Sequence, residues 1–342
     1  MSRKAVGKKR DGTARDLATS ISGARRAPMP AFVEPCLALL KEKAPTGSDW
    51  IHEIKFDGYR IQAHLNKGTV KLLTRQALDW TEKFAPIAKA VATIRAAQII
   101  LDGEIVSEDQ YGVSSFSKLQ QDLKEGRSEN FIYDVFDLMY LDGMDLRPAP
   151  LAARKKVLAS LIKRLPKGTP IRYSESLAGS GAALLKRACQ LHLEGIVSKR
   201  SDAPYRGGRG GDWIKTKCSD RQELVIAGYK PSTVDPHAIG ALILGYYQKG
   251  RLQYAGRAGT GYTHKVAKEL WKKLQPLRID FPPFGTTPKE ETKARNAKWV
   301  QPLLVAEVDF HGWTHGGRVR QASFQGLRED KAAKAVVRES AR

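Results

Sequence analysis

Between Pro28 and about residue 218, short apolar or alternating runs of strand length recur, each with a turn signal beside it. The stretch "HEIKFDGYR", His52 to Arg60, alternates with a period of two, placing Glu53, Lys55 and Asp57 on one face and Ile54 and Phe56 on the other. "GTVKLLTR", "QIILDGEIV", "FIYDVFDLMYLDG" and "LEGIVSKR" follow, punctuated by Asp-Gly, Glu-Gly and Lys-Gly. By contrast, "LAARKKVLASLIKRL" repeats apolar residues at Leu151, Leu158, Leu161, Ile162 and Leu165 behind Pro148 and Pro150, which predicts a helix. Strands and helices interleave without βαβ regularity, so the expected class is α+β with antiparallel sheets and flanking helices.

A boundary is expected near Cys218 to Arg221. After it "ELVIAGYK", "AIGALILGYYQKG" and "RLQYAGRA" predict a meander of short strands. An amphipathic helix from Thr263 to about Leu277 comes next, with Val266, Leu270, Trp271 and Leu274 on one face. A handful of strands with one helix suits a small barrel such as an OB-fold, a frequent nucleic-acid platform. "GTTPKEETKARNAK" is polar and basic and predicts an exposed loop inside it.

Charge narrows the picture. The 342 residues carry 58 Lys and Arg against 36 Asp and Glu, a formal +22. Such a surplus favours a polyanionic partner, because each neutralised phosphate releases counterions, and nucleic acid leads the candidates. A membrane is not expected: no apolar run approaches a spanning helix, and neither a signal-peptide core nor a basic amphipathic anchor is present. Cys36, Cys189 and Cys218 are odd in number and widely spaced, which predicts a reduced, cytoplasmic protein without structural zinc. Residues 1–27, with eight basic and two acidic side chains, predict a disordered basic arm that either touches phosphates or only aids solubility.

Four clusters put charges at the edge of apolar strands: "KFDGYR" at 55–60, "LDGEIV" at 101–106, "LEGIVSKR" at 193–200 and "WIKTK" at 213–217. Each has an ordinary alternative, since Asp-Gly and Glu-Gly form turns and Lys-x-Lys suits a solvated face. Their order is more telling. Lys55-Phe-Asp57-Gly58-Tyr-Arg60, Asp102-Gly103-Glu104, Phe136-Asp137, Glu194-Gly195 and Lys215-Thr-Lys217, closing with "GLREDK", resemble the collinear motifs of the covalent nucleotidyltransferases. Within that superfamily the chain, from about Met29 to Lys331, resembles the ATP-dependent ligase module of the bacterial DNA ligase D family.

The resemblance implies an adenylation domain over 28–219 and an OB-fold domain over 220–342. It implies that Lys55 attacks ATP and carries AMP, with Lys215, Lys217 and Asp57 as further catalytic residues. Glu53 would form the adenine-recognition edge, Phe136 would stack on the base, and Arg60 and Arg75 would hold ribose or phosphate. Glu104 would take a ribose hydroxyl or, with Glu194, a Mg²⁺ or a Mn²⁺ substituting for it. Lys199 would also bind ATP, and Arg328, Asp330 and Lys331 would reach pyrophosphate on closure of the OB domain. A lysine attacks only when deprotonated, whereas Glu53 and Asp57 facing Lys55 would favour its ammonium. The reading therefore requires either that the turn at Gly58 pulls Lys55 off the strand or that the carboxylates are engaged elsewhere.

The implied reaction is nick sealing in duplex DNA, in repair or double-strand break joining, by a cytoplasmic, nucleoid-associated monomer. Bacterial Ku and a separate repair polymerase are candidate partners, because the chain leaves no room for the polymerase and nuclease modules that family members often carry. Two alternatives compete: an RNA ligase or guanylyltransferase of the same superfamily, and a catalytically idle DNA-binding relative. Other features are discounted. "GRAGTGYTHK" lacks Walker spacing and predicts a hairpin turn before a capped helix, "YRGGRGGDW" predicts a flexible loop, and the glycine-broken "HGWTHGG" is a poor metal site.

Overall fold

The computed structural model describes residues 14–110, 112–286 and 296–339. The chain opens with α1 (Ala14–Thr19) and the short β1 (Arg25–Arg26), then runs through β2 (Cys36–Leu40), β3 (Trp50–Ile54), β4 (Tyr59–Asn66) and β5 (Thr69–Thr74). After α2 (Ala85–Ala92), β6 (Gln98–Ser107), α3 (Phe116–Glu125), β7 (Phe131–Leu141) and β8 (Met144–Asp145) come α4 (Leu151–Ile162), β9 (Ile171–Tyr173), α5 (Gly181–Gln190), β10 (Gly195–Arg200) and β11 (Gly208–Lys217). The remainder comprises β12 (Asp220–Pro231), β13 (Ile239–Gln248), β14 (Arg251–Thr260), α6 (His264–Leu274), β15 (Arg278–Ile279), β16 (Lys298–Val300), β17 (Val305–Phe310) and β18 (Ala322–Leu327).

Three sheets result. The first runs β1-β8-β7-β6-β4-β5, with β9 on β7, and the second β2-β11-β10-β3. A small core of Val33, Cys36, Ile100, Phe136, Met139, Tyr140, Tyr205 and Trp213 lies between them. In the third sheet the pairings return on themselves, β12-β13-β14-β18-β17 and back to β12, around a separate apolar core. Most pairings are antiparallel as expected, but β2–β11, β7–β9 and β14–β18 are parallel.

The capping chemistry sits where the helices start. Ser115, Ser180 and Thr263 accept the Lys118, Ala183 and Val266 amides at the starts of α3, α5 and α6, and Gly126, at φ 70°, closes α3. The helix expected up to about Leu277 becomes α6 followed by a 3₁₀ turn, Gln275–Leu277, with Pro276 inside the turn.

Several expectations are corrected. Residues 14–27 are not a disordered arm: Ala14, Ala18 and Ile21 share a face and bury in the main core, and β1 pairs with β8. That apolar stripe is built mainly of alanines, so the segment's composition concealed it; residues 1–13 lie outside the described residues. The Gly-Arg stretch is not a loop, since Gly208–Lys217 forms β11 with an irregular register against β2. Nor is "GRAGTG" a hairpin turn, because β14 runs to Thr260 and Gly256, at φ 114°, sits where its register against β13 shifts. Cys189 and Cys218 form a disulfide, whereas Cys36 is a buried free thiol. The 29-residue separation hid that α5 and the end of β11 converge beside Glu194. Most of the expected loop after Gly285 lies outside the described residues.

Asp102-Gly103 is no turn either: both lie inside β6. A Cβ at Gly103 would stand 2.5 Å from Tyr133 Cε2 and 2.6 Å from the Asp134 carbonyl oxygen. The register between β6 and β7 shifts at this point, between Asp102 and Gly103, and β7 leaves no room there for a side chain. Gly103→Ala is therefore expected to destabilise the fold by about 1–3 kcal/mol, read as a lowered urea midpoint; an unchanged midpoint would show that β7 yields freely.

Candidate active site

Where the first two sheets face each other, the third closes a cavity of about 470 Å³. Strand β3 delivers Glu53; Lys55 follows just past its end, where its amide still bonds to the Gly195 carbonyl (3.0 Å). Strand β4 contributes Arg60, β6 Glu104 and β7 Phe136, while β10 and β11 contribute Lys199, Lys215 and Lys217. Arg75, Glu194, Arg328 and Lys331 complete the set expected from sequence, with Asp57 at the edge. Asp330 is the exception. It does not line the cavity but is buried, bonded to Arg328 at 2.9 Å through both oxygens and 3.8 Å from Arg75. In this structure its carboxylate orients Arg328.

The requirement placed on Lys55 is met in both ways. Lys55 has left the regular strand, and neither flanking carboxylate pairs with it. Glu53 accepts from Lys155 (2.7 Å), Lys199 (2.9 Å) and Ser174 (2.8 Å). Asp57, expected to be catalytic, lines the cavity and accepts from the Phe116 amide (2.9 Å) at the start of α3 and from Arg221 (2.7 Å) of β12. Lys55 instead donates to Glu194 at 2.5 Å. Burial disfavours its ammonium, but Glu194, with Glu104 and Asp57 behind it, outweighs that and holds Lys55 above its ordinary value. Burial likewise pushes the Glu194 carboxyl up, and Lys55, Lys217 and Arg221 override it and keep the group ionised.

The other cations are also occupied. Arg60 is held by Asp102 at 3.0 and 2.6 Å, by the Cys36 carbonyl at 2.6 Å and by Tyr205 at 3.2 Å, which commits most of its donors inside the protein. Lys199 lies 4.3 Å from the Phe136 ring centre and 4.2 Å from that of Trp213. Arg75 pairs with Glu223 at 2.6 Å, and Lys331 pairs with the same carboxylate. Lys215 meets both Glu339 oxygens at 2.7 Å; Lys217 donates to the Arg221 carbonyl and lies 3.7 Å from Glu194. Burial, then the neighbouring Lys217, bring Lys215 down to about 8 although Glu339 opposes them.

Sequence reasoning missed Lys155, Trp213, Arg221, Glu223, Glu307 and Glu339. Trp213 stood inside the quoted "WIKTK", and Glu223 inside the strand "ELVIAGYK". Nothing local marked Lys155, which is buried behind Glu53, or Glu339, which lines the cavity; both are placed only by the tertiary fold. The same applies to closure: Arg328 donates to the Gly58 carbonyl (3.3 Å) and stacks 4.5 Å from the Phe116 ring centre, and Ser117 donates to the Gln325 carbonyl (2.9 Å). The C-terminal body is thus docked over the cavity.

These features define a cleft dense in paired charges between a two-sheet body and a small cap whose strand pairings return on themselves. Residues 32–217 match the family model of the ATP dependent DNA ligase domain, and residues 235–331 match that of the ATP dependent DNA ligase C terminal region. The chain belongs to the ATP-dependent DNA ligase family. It is 41% identical over 317 residues to the multifunctional non-homologous end joining protein LigD of Pseudomonas aeruginosa, covering 92% of this chain and 37% of that protein. Against the multifunctional non-homologous end joining DNA repair protein LigD of Mycobacterium tuberculosis, identity is 36% over 294 residues, 85% of this chain and 38% of the relative. Among solved structures, a mycobacterial DNA ligase D complexed with ATP and MES is 36% identical, with a TM-score of 0.65 over 90% of this chain and 98% of that one. The chain thus spans little more than a third of these curated relatives and nearly all of a solved ligase D structure, a nucleotidyltransferase domain followed by an OB-fold domain.

Glu104 supplies a test of the cavity's electrostatics. Burial raises its carboxyl from 4.5 to about 7, against the pull of Lys55, Arg328 and Arg60. A carboxyl raised in the folded state stabilises below its ordinary value, and that contribution is lost as pH climbs through the folded value. In the nucleotide-free protein the melting temperature of Glu104→Gln should therefore gain on that of the native chain between about pH 5 and about pH 8. A difference that stays flat across that window would mean that Glu104 titrates as an exposed carboxylate does.

Proposed function

We propose that this cavity seals nicks in duplex DNA by way of AMP carried on Lys55. The supporting observation is the convergence of Lys55, Lys215, Lys217, Glu104 and Glu194 on one closed cleft. The Lys55 amine attacks the α-phosphorus of ATP in line, forming a P–N bond as the bond to the β-phosphate oxygen breaks and pyrophosphate leaves. The 5′-phosphate of the nick then takes AMP from Lys55, and the 3′-hydroxyl attacks that phosphate and expels AMP. Lys215 and Lys217 hold negative charge as it builds on the transferring phosphoryl group. Arg328 and Lys331, brought by the docked cap, face the leaving pyrophosphate, and Phe136 with Glu53 forms the base-binding side.

Before attack, Lys55 must lose the proton that Glu194 now stabilises, so the Lys55–Glu194 pair is a resting state that nucleotide binding has to break. Glu104 and Glu194 are hard oxygen donors in the same cavity, and no group of three metal-ligating side chains occurs among the described residues. That donor set fits Mg²⁺ or Mn²⁺, which would take its remaining ligands from phosphates and water. Bound there, the ion would neutralise phosphate charge and draw Glu194 away from the lysine.

The relatives are named for non-homologous end joining, which supports broken duplex DNA as the substrate; action in the cytoplasm at the nucleoid, with Ku and a repair polymerase as partners, belongs to the same proposal. No helix among the described residues is long and apolar enough to cross a membrane. Incubation with α-labelled ATP and Mg²⁺ should label the native chain at Lys55, and the labelled protein should seal nicked DNA in preference to nicked RNA. Lys55→Ala should take up no label; persistent labelling of that variant would overturn the assignment.

A further inference from the structure

The chain carries a formal +22, yet the cavity is nearly neutral: nine basic side chains line it beside eight carboxylates. A triphosphate must compete with every carboxylate that faces the same cations. Half of those acids are fixed by several donors or by their place in a strand of the cap. Glu53 holds three donors and Asp57 two, while Glu223 and Glu307 lie inside β12 and β17.

Glu339 differs. It follows the last 3₁₀ turn (Ala333–Ala335) and belongs to no helix or strand. Val336 is fully buried and anchors the segment, but Val337 and Arg338 are exposed. Beyond the anchor, the backbone is clasped by the Gln222 side chain, which donates to the Val337 carbonyl (2.9 Å) and accepts from the Glu339 amide (3.0 Å), and by a bridge between Val337 and Tyr247, while the Arg338 guanidinium lies 4.5 Å from the Trp313 ring centre, a contact that opening would also release. From this lightly held segment the carboxylate reaches into the cavity. Both oxygens lie 2.7 Å from Lys215 Nζ, with Arg209 at 3.7 Å and Lys217 at 3.9 Å.

We propose that residues 337–339 form an autoinhibitory strap whose Glu339 carboxylate stands in for a nucleotide phosphate on Lys215 and Lys217 and swings out when ATP enters. This rests on the reading of the cavity as the ATP site. An anion held by two ammonium groups and a guanidinium has the surroundings a phosphate oxygen takes. Because so little apolar surface is buried past Val336, release is a local opening that leaves the fold intact. While the strap is closed, apparent ATP affinity is reduced to the fraction of molecules that are open.

The test uses Glu339→Gln in the full chain, with ATP binding measured calorimetrically without divalent metal and Lys55 labelling followed with Mg²⁺. The variant should bind ATP at least about fivefold more tightly, its KM for ATP in labelling should fall by the same factor, and its rate at saturating ATP should hold. In the native chain, saturating ATP should speed hydrogen exchange at the Glu339 amide. That second readout stands even if the variant folds poorly. A well-folded variant with unchanged or weaker ATP affinity overturns the strap while normal labelling of the native chain leaves the ATP site standing, and so does exchange at Glu339 that ATP does not alter. A native chain that neither binds ATP nor takes up label overturns the ATP site and the strap together.

Discussion

Burying many like charges in one cleft is the constraint on which the rest of the structure depends. Each cation that could grip a phosphate has to be taken from water before any phosphate arrives, and an unpaired buried ammonium or guanidinium would cost several kcal/mol. The protein meets this with internal carboxylates, placing Glu194 on Lys55, Asp102 on Arg60, Glu223 on Arg75 and Lys331, Glu53 on Lys199, and Glu339 on Lys215. The pairing explains why three sheets must converge. No single sheet edge could supply both signs at this density.

The convergence also shows which parts of the structure were legible in the chain. Motif residues were, through their order along the chain: Lys55, Glu104, Glu194, Lys215 and Lys217 belong to the collinear series that carries the family resemblance, and all line one cleft. Their partners were not. Lys155 comes from α4 and Glu339 from the far end of the C-terminal body, and neither has a neighbour in sequence that hints at Glu53 or Lys215. A carboxylate chosen to neutralise a distant cation leaves no periodic trace.

Dipeptides make the same point at smaller scale. Lys67-Gly68, Asp142-Gly143 and Lys249-Gly250 are tight turns with both residues at positive φ, as the punctuation suggested. Asp102-Gly103 is identical in type to Asp142-Gly143 yet lies mid-strand, where glycine is needed for space beside Tyr133 and the aspartate is needed for Arg60. Local preference decides the exposed hairpins, and tertiary approach decides the buried site. The amino-terminal segment was misread for a related reason, since charge averaged over residues 1–27 outweighed three small apolar side chains that the core in fact uses.

Closure of the cap is bound up with the same pairs. Glu223 of β12 spans Arg75 in the first body and Lys331 in the second, and Glu339 brings the end of the second body onto Lys215 and Lys217 in the first. Without nucleotide, carboxylates bridge the two bodies; with nucleotide, phosphates would bridge the same cations. On the proposed reading of the site, the exchange replaces one set of anions by another, and the loss of each internal pair is offset as it occurs. Such an exchange requires acids that can leave without dragging a strand with them. Glu223 and Glu307 are built into β12 and β17 and can at most rotate, whereas Glu339 hangs from a segment held by one glutamine, one bridge and the Arg338 guanidinium over the Trp313 ring. The least costly motion that empties a phosphate position is thus withdrawal of residues 337–339.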